Sequence, residues 1–387
     1  MKVLTLSEPN EHVFFGYYDM SPFNNDDTKV LAVKTNHPLK TPAISSYIKI
    51  GYFEVGHNIA SRSTFIEVGE SKAWCWQQGS RLQWYPRAKQ SENIFYNTVE
   101  NDKYIGVVQN ILSKEILFKT PIPLYDISND GTKGLSLNFS RLQRLRPGYG
   151  YTSLPDLTVN ENIPQDEGVF GYDFTTKKHR LLVSFDDILK VGNLPPGWHE
   201  YQHYINHLSF NPSGTEFMFL HLFVHNSKRL SRLLVSKADG TNLRVLNDIS
   251  KVSHYAWKDD NYLLCFSQSD ENTPMRYVEY NIHTGDRNEL APNILTKDGH
   301  PTYINSNTVL MTDTYPNIFG YQCLILFDTV KNKFKKKMYF HRSFKFNGEV
   351  RTDLHPRTNI SEDMICIDDE YKGYKAMKVI RLDADGQ

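Results

Sequence analysis

The sequence predicts an all-β fold: a seven-bladed β-propeller of four-stranded antiparallel blades, its ring closed by the N-terminal strand. Three observations point there. A unit of short strand, turn rich in Asn, Asp, Pro and Gly, and apolar strand recurs seven times along the 387 residues. The later copies are evenly spaced. Aromatic content is 13%, with 23 Tyr and 22 Phe, a bias that favours strands, and no segment sustains a 3.6-residue apolar period for long.

The clearest copy is NHLSFNPSGTEFMFLHLF, from Asn206 to Phe223. Pro212, Ser213 and Gly214 supply the hairpin turn. Phe217, Phe219 and His221 then alternate with Met218, Leu220 and Leu222. The other copies start at Tyr17, Leu82, Pro123, Ser253, Gly299 and Asp353. The leading histidines of the later copies set the period. His254 follows His207 by 47 residues, His300 follows His254 by 46, and His355 follows His300 by 55. A four-stranded blade takes roughly 40–50 residues. Outer hairpins follow the fourth and fifth copies, from Ser231 with an Asp239–Gly240 turn and from Tyr280.

The third interval is longer. It holds an additional hairpin-like stretch, GVFGYDFTTKKHRLLVSF, and two Pro/Gly-rich segments, RLRPGYGYTSLPD from Arg144 and KVGNLPPGWHEYQHY from Lys190. These are expected to be insert loops, at about 140–165 and 190–205, over one face of the channel. The last copy supplies three strands, and Lys2–Leu6 is expected to add the fourth, so residues 1–387 form a single domain without an open sheet edge. A pair of β-sandwiches or a β-helix is the alternative.

Composition narrows the function classes. The charges balance at 44 basic and 44 acidic residues, and a pI near 7.2 argues against a nucleic-acid or anionic-membrane surface as the main partner. Cys75, Cys265, Cys323 and Cys366 sit apart in apolar contexts and read as buried thiols. The N-terminal apolar run is broken early by Glu8, Pro9 and Asn10, so no signal peptide is read and a cytoplasmic address is expected.

The histidines carry the chemistry. In a propeller, equivalent positions of successive blades converge on one axis. His207, His254, His300 and His355 share one repeat position, with Asp353 beside His355. Such a set suits a divalent metal or acid–base work, while each ring alone could equally be a hydrogen-bonded core residue. His221 is read at the end of its strand as a separate candidate, and His12, His37, His203 and His225 as loop residues. Two clusters offer substrate contacts. Trp74–Arg87 packs three Trp, three Gln and two Arg, among them Arg81, Gln83 and Trp84. The segment from Arg144 presents Arg146, Tyr149 and Tyr151. Aromatic faces stack on sugar rings and Arg forks match carboxylates, although packing between blades explains both clusters as well. No P-loop, GxGxxG, GxSxG or HExxH occurs.

The segments WQQGSRLQWYP, NHLSFNPSGTEFMFLH, SHYAW, DGHPTY, TDTYP and DLHP, spanning about residues 74 to 370, resemble the propeller polysaccharide lyases, chiefly oligogalacturonate lyases. The resemblance implies a divalent metal, often manganese, with calcium or zinc as alternatives. It implies His221 as the base, and His254 and His355 as metal ligands. Asp353 stands where that family has a histidine, and His300 is available for the remaining position. No glutamine ligand is placed. The implied reaction is β-elimination on an acidic, uronate-containing oligosaccharide. By chemistry alone, Arg146 or Arg81 could clamp the carboxylate, Tyr149 or Tyr151 could donate to the leaving oxygen, and His207 joins the catalytic candidates. The competing readings are a non-catalytic glycan-binding or scaffold propeller, and a glycan hydrolase or biosynthetic enzyme with the same histidine pocket.

Overall fold

In the computed structural model, residues 2–56, 64–87, 89, 91–249 and 251–382 are described. Among them lie seven four-stranded antiparallel sheets, one for each repeat. The fold is a seven-bladed β-propeller. By contacts the chain divides into one unit of Met1–Lys119 with Gly299–Gln387 and another of Thr120–Asp298.

The first unit holds blades 1, 2, 6 and 7. Blade 1 runs His12–Phe14, Lys29–Thr35, Ile48–Glu54 and Ile66–Ser71. Blade 2 runs Gln83–Trp84, Asn93–Glu100, Lys103–Asn110 and Ile116–Thr120. Blade 6 runs Thr302–Ile304, Val309–Thr312, Tyr321–Asp328 and Lys333–His341. Blade 7 takes Arg357–Thr358, Met364–Tyr371 and Tyr374–Arg381 from the C-terminal repeat. Its fourth strand is Lys2–Thr5, antiparallel to the last one with Lys2 opposite Arg381 and Thr5 opposite Lys378. The expected closure by the N-terminal strand is thus present.

The second unit holds blades 3, 4 and 5. Blade 3 comprises Asp126–Ile127, Lys133–Ser136, Gly168–Asp173 and Lys178–Ser184. Blade 4 comprises Gln202–Phe210, Glu216–His225, Lys228–Lys237 and Arg244–Asn247. Blade 5 comprises Val252–Trp257, Tyr262–Ser267, Arg276–Asn281 and Arg287–Glu289.

Middle strands are covered on both faces. Val30 to Val33 and Phe217 to Phe219 have no exposed surface, so their apolar residues form runs where a half-exposed strand would alternate. Each such Phe or Val contributes roughly 1.5–3 kcal/mol by leaving water.

Three local expectations are corrected. The additional hairpin is the outer half of blade 3, because Lys133–Ser136 pairs with Gly168–Asp173 across the long insertion. Within that insertion Phe139–Leu145 is a helix, capped by the Asn138 side chain on the Arg141 amide. The second insert region is interrupted by a 3-10 turn at Trp198–Glu200 and ends where strand Gln202–Phe210 begins. Buried arginines fasten both inserts inside the unit. Arg141 donates to the carbonyls of His203, Thr158, Glu161 and Asn162 at 2.7–3.0 Å. Arg232 donates to those of Asn193, Ile188 and Val191 at 2.9–3.1 Å. The four cysteines are buried free thiols.

Candidate functional site

The shared histidine position has a structural cause. In blades 4 and 5 the pairing of the first strand slips where the histidine sits, between Asn206 and Ser209 and between Val252 and Tyr255. Such bulges re-aim side chains. His207 and His355 also adopt left-handed backbone, with φ of 56° and 43°, a conformation that costs a non-glycine residue about 1 kcal/mol or more.

In the first unit this position assembles a His–Asp–His cluster. Candidate ligand atoms of His300, Asp353 and His355 all lie within 4.8 Å of one another. The two imidazole centroids are 4.3 Å apart at 89°, and all three residues are at most 2% exposed. His355 Nδ1 donates to the Gly16 carbonyl at 2.8 Å. That fixes its tautomer, since a carbonyl can only accept, and leaves the lone pair on Nε2. His300 Nδ1 contacts both oxygens of Asp313, at 2.8 and 3.0 Å, which orients its Nε2 in the same way. Histidine ligands are commonly braced like this by a carboxylate or carbonyl.

Asp353 completes the cluster. Oδ2 accepts from Arg351 Nε at 2.6 Å, and Oδ1 is buried with no hydrogen bond, 3.7 Å from Arg342 Nη1. Burial opposes its charge, but Arg351, the two histidines and Arg342 outweigh that and hold the carboxyl well below the usual range. Burial, then the neighbouring His300, keeps His355 neutral. The donor set fits a divalent cation. It offers two imidazole nitrogens, one ionised carboxylate oxygen, and two buried polar atoms, His355 Nε2 and Asp353 Oδ1, without hydrogen bonds. Tyr17 and Tyr18 pack on the rings, 5.0 Å from His355 and 5.1 Å from His300. Tyr315 meets His300 edge-on at 5.7 Å.

The second unit assembles a different group. His254 Nδ1 lies 2.9 Å from Asp298 Oδ1, and Ser253 donates to the other carboxylate oxygen at 2.7 Å. The rings of His254 and His207 are 6.2 Å apart. Tyr149 lies edge-on to His207 at 6.0 Å, and the Arg146 guanidinium stacks over Tyr149 at 4.3 Å. A Cβ on Gly150 would sit 2.0 Å from the Phe139 carbonyl, so glycine is required for this turn to fold onto the helix. Arg146, Tyr149, His207 and His254 are therefore brought together, while Tyr151 turns away and stacks on Phe139 at 4.3 Å.

His221 lies in mid-strand, where the sequence suggested a strand end, and has no exposed surface. His203, expected in a loop, is on the neighbouring strand and equally buried. His203 Nε2 donates to the Trp198 carbonyl at 2.8 Å, so its Nδ1 accepts from His221 Nε2 at 2.9 Å. His12, also expected in a loop, is a buried strand residue that accepts from the Lys375 amide. Arg81 is fully buried in a two-point ion pair with Asp19, at 2.9 and 3.3 Å. Gln83 is buried beneath it, and Trp84 donates to the Pro22 carbonyl at 2.9 Å. These side chains are engaged in packing. Asp298, Asp313, Arg342 and Tyr315 were not singled out from sequence, although the DGHP and TDTYP segments contain three of them.

The fold and this cluster define a seven-bladed β-propeller carrying a His–Asp–His constellation. Among solved structures, the chain is similar to an oligogalacturonate lyase from Vibrio parahaemolyticus, with TM-score 0.64 and 11% identity over 100% of this chain and 94% of that one. It is also similar to an oligogalacturonate lyase in complex with manganese, with TM-score 0.66 and 14% identity over 99% and 94%. An acylaminoacyl peptidase from Pyrococcus horikoshii follows at TM-score 0.52 and 10% identity, over 97% of this chain and 52% of that one. No family model and no curated protein matches the sequence. The fold is that of the oligogalacturonate lyases.

Proposed function

We propose that the protein is a carbohydrate lyase that cleaves uronate-containing oligosaccharides by metal-assisted β-elimination. The carrying observation is the His300–Asp353–His355 cluster, with both imidazoles pre-oriented through Nδ1. A fold shared with an oligogalacturonate lyase that binds manganese supports this reading.

His300, His355 and Asp353 would hold a divalent cation, manganese on this reading. Bound there, it would draw charge from a substrate carboxylate and so acidify the adjacent C–H. The protein's own charges favour the same ligand. Asp353 is already neutralised by Arg351, and Arg357 pairs with Asp368 at 2.6 Å, so an added cation leaves local positive charge for an anionic sugar.

Within the second unit, we propose His254 in place of His221 as the side chain built to accept a proton. With Nδ1 held by Asp298, its Nε2 carries the lone pair, and the carboxylate stabilises the imidazolium that forms. His221, by contrast, spends its Nε2 proton on His203 at 2.9 Å and is enclosed with Phe185, with no carboxylate among the described residues beside it to stabilise an imidazolium. The experiment follows ultraviolet absorbance while a panel of uronate oligosaccharides is incubated with the protein and manganese. Elimination creates a conjugated 4,5-unsaturated product, and absorbance rises. A flat trace across the panel, with manganese, calcium or zinc, overturns the lyase reading.

A further inference from the structure

We propose that the turn from Tyr315 to Gly320, together with Arg342, is a sugar-binding subsite for a uronate ring beside the His300–Asp353–His355 cluster. This rests on the carbohydrate reading above and deepens it.

The turn displays apolar side chains in a fixed shape. Ile318 is 84% exposed, Phe319 67% and Tyr315 37%. The Asn317 side chain accepts from the amides of Phe319 and Tyr321, at 2.9 and 3.0 Å. The Asn317 amide donates to the Tyr321 carbonyl at 2.9 Å, and the Gly320 amide to the Asn317 carbonyl at 2.9 Å. Gly320 has φ of 82°, which suits glycine. An ordered turn that presents apolar surface to water gains nothing in the free protein, and exposed apolar patches mark binding surfaces.

Two contacts tie the turn to the cluster. Tyr315 meets His300 ring to ring at 5.7 Å. At the other end the Arg342 amide donates to the Gly320 carbonyl at 2.8 Å, and the Arg342 guanidinium lies 3.7 Å from Asp353. Its Nε and Nη1 are buried without a hydrogen bond. The Arg342 side chain is 11% exposed, and a planar fork suits a carboxylate. An aromatic face for the ring and a fork for the acid, flanking one cluster, describe a pyranose that carries a carboxylate.

The test is calorimetric binding of trigalacturonate, and of neutral galactotriose, to the full chain with chelator present so that no turnover intervenes. The intact protein should prefer the acidic sugar. Tyr315→Ala and Phe319→Ala should weaken binding of both sugars about tenfold, the loss expected for an aromatic contact at a binding hot spot. Arg342→Gln should erase the preference for the acid, and Arg342→Lys serves where the Gln variant does not fold. Unchanged affinities in all variants, or no binding of either sugar, overturn the inference. Tyr315- and Arg342-dependent binding, with no unsaturated product in the separate absorbance assay with manganese, keeps the subsite and removes the lyase reading. Product formation with affinities indifferent to Tyr315 and Phe319 does the reverse.

Discussion

Asp313 holds His300 by both ring and backbone. Its Oδ1 lies 2.8 Å from Nδ1 and accepts from the His300 amide at 2.9 Å. Its other oxygen accepts from the amide of His355 at 3.1 Å. One buried carboxylate, itself 1% exposed, therefore positions two candidate ligands that come from different blades.

Replacing Asp313 by Asn should leave the sheets intact and loosen this bracing. Manganese affinity measured by calorimetry is expected to fall about 10–100-fold, the usual effect of losing such an outer contact. An unaltered affinity would show that His300 is oriented without it.

His254→Ala and Asp298→Asn separate proton transfer from metal binding. With uronate substrate, His254→Ala should lower kcat by about 10²–10⁴-fold, the range for a lost general base. Circular dichroism and manganese content should not change. Turnover equal to the intact protein would remove His254 from the chemistry.

The buried His203–His221 pair makes stability depend on pH. Burial lowers His203 from 6.5 to about 4 and holds His221 well below 6.5. Both rings are neutral in the fold and protonate readily once it opens, so acid favours the open chain. Stability is full above about 6.5 and declines as pH falls from there toward 4. The contribution from His203 is roughly 3 kcal/mol, at about 1.4 kcal/mol per tenfold change in proton affinity. Urea unfolding at a series of pH values should show this slope, flattened in the double variant His203→Gln, His221→Gln. An identical slope there would place the acid sensitivity elsewhere.

Arg141 should matter for stability more than any exposed cation. Arg141→Met removes the donor to the buried His203 carbonyl and to the part-buried carbonyls of Thr158, Glu161 and Asn162, and should cost on the order of 3 kcal/mol in denaturant unfolding. Proteolysis should then begin in the segment between Tyr151 and Asn162. A loss below about 0.5 kcal/mol, the level of an ordinary surface change, would contradict the clamp.

Much of the fold was legible because turns punctuate it. Pro212–Gly214 and Asp239–Gly240 mark their hairpins directly, and the spacing of His207, His254, His300 and His355 follows the blades. The helix Phe139–Leu145 was not legible, because two turns of helix beside Pro147 and Gly148 leave too few apolar residues to show a period. The partners of the histidines were hidden for another reason. Asp313 braces His355 across 42 residues, and His203 meets His221 through strand register, neither of which appears as a local motif. Arg81 and Trp84 looked like ligand contacts because sequence does not show that Asp19 and Pro22 already occupy them.

Equilibrium dialysis against manganese, with metal counted per folded chain, bears most directly on the proposed centre. The account predicts one ion per chain in the intact protein, and loss of that ion in His355→Ala and Asp353→Asn variants that keep their circular dichroism. An intact protein that retains no manganese, calcium or zinc, or variants that bind as well as it does, would contradict a metal centre at His300, Asp353 and His355.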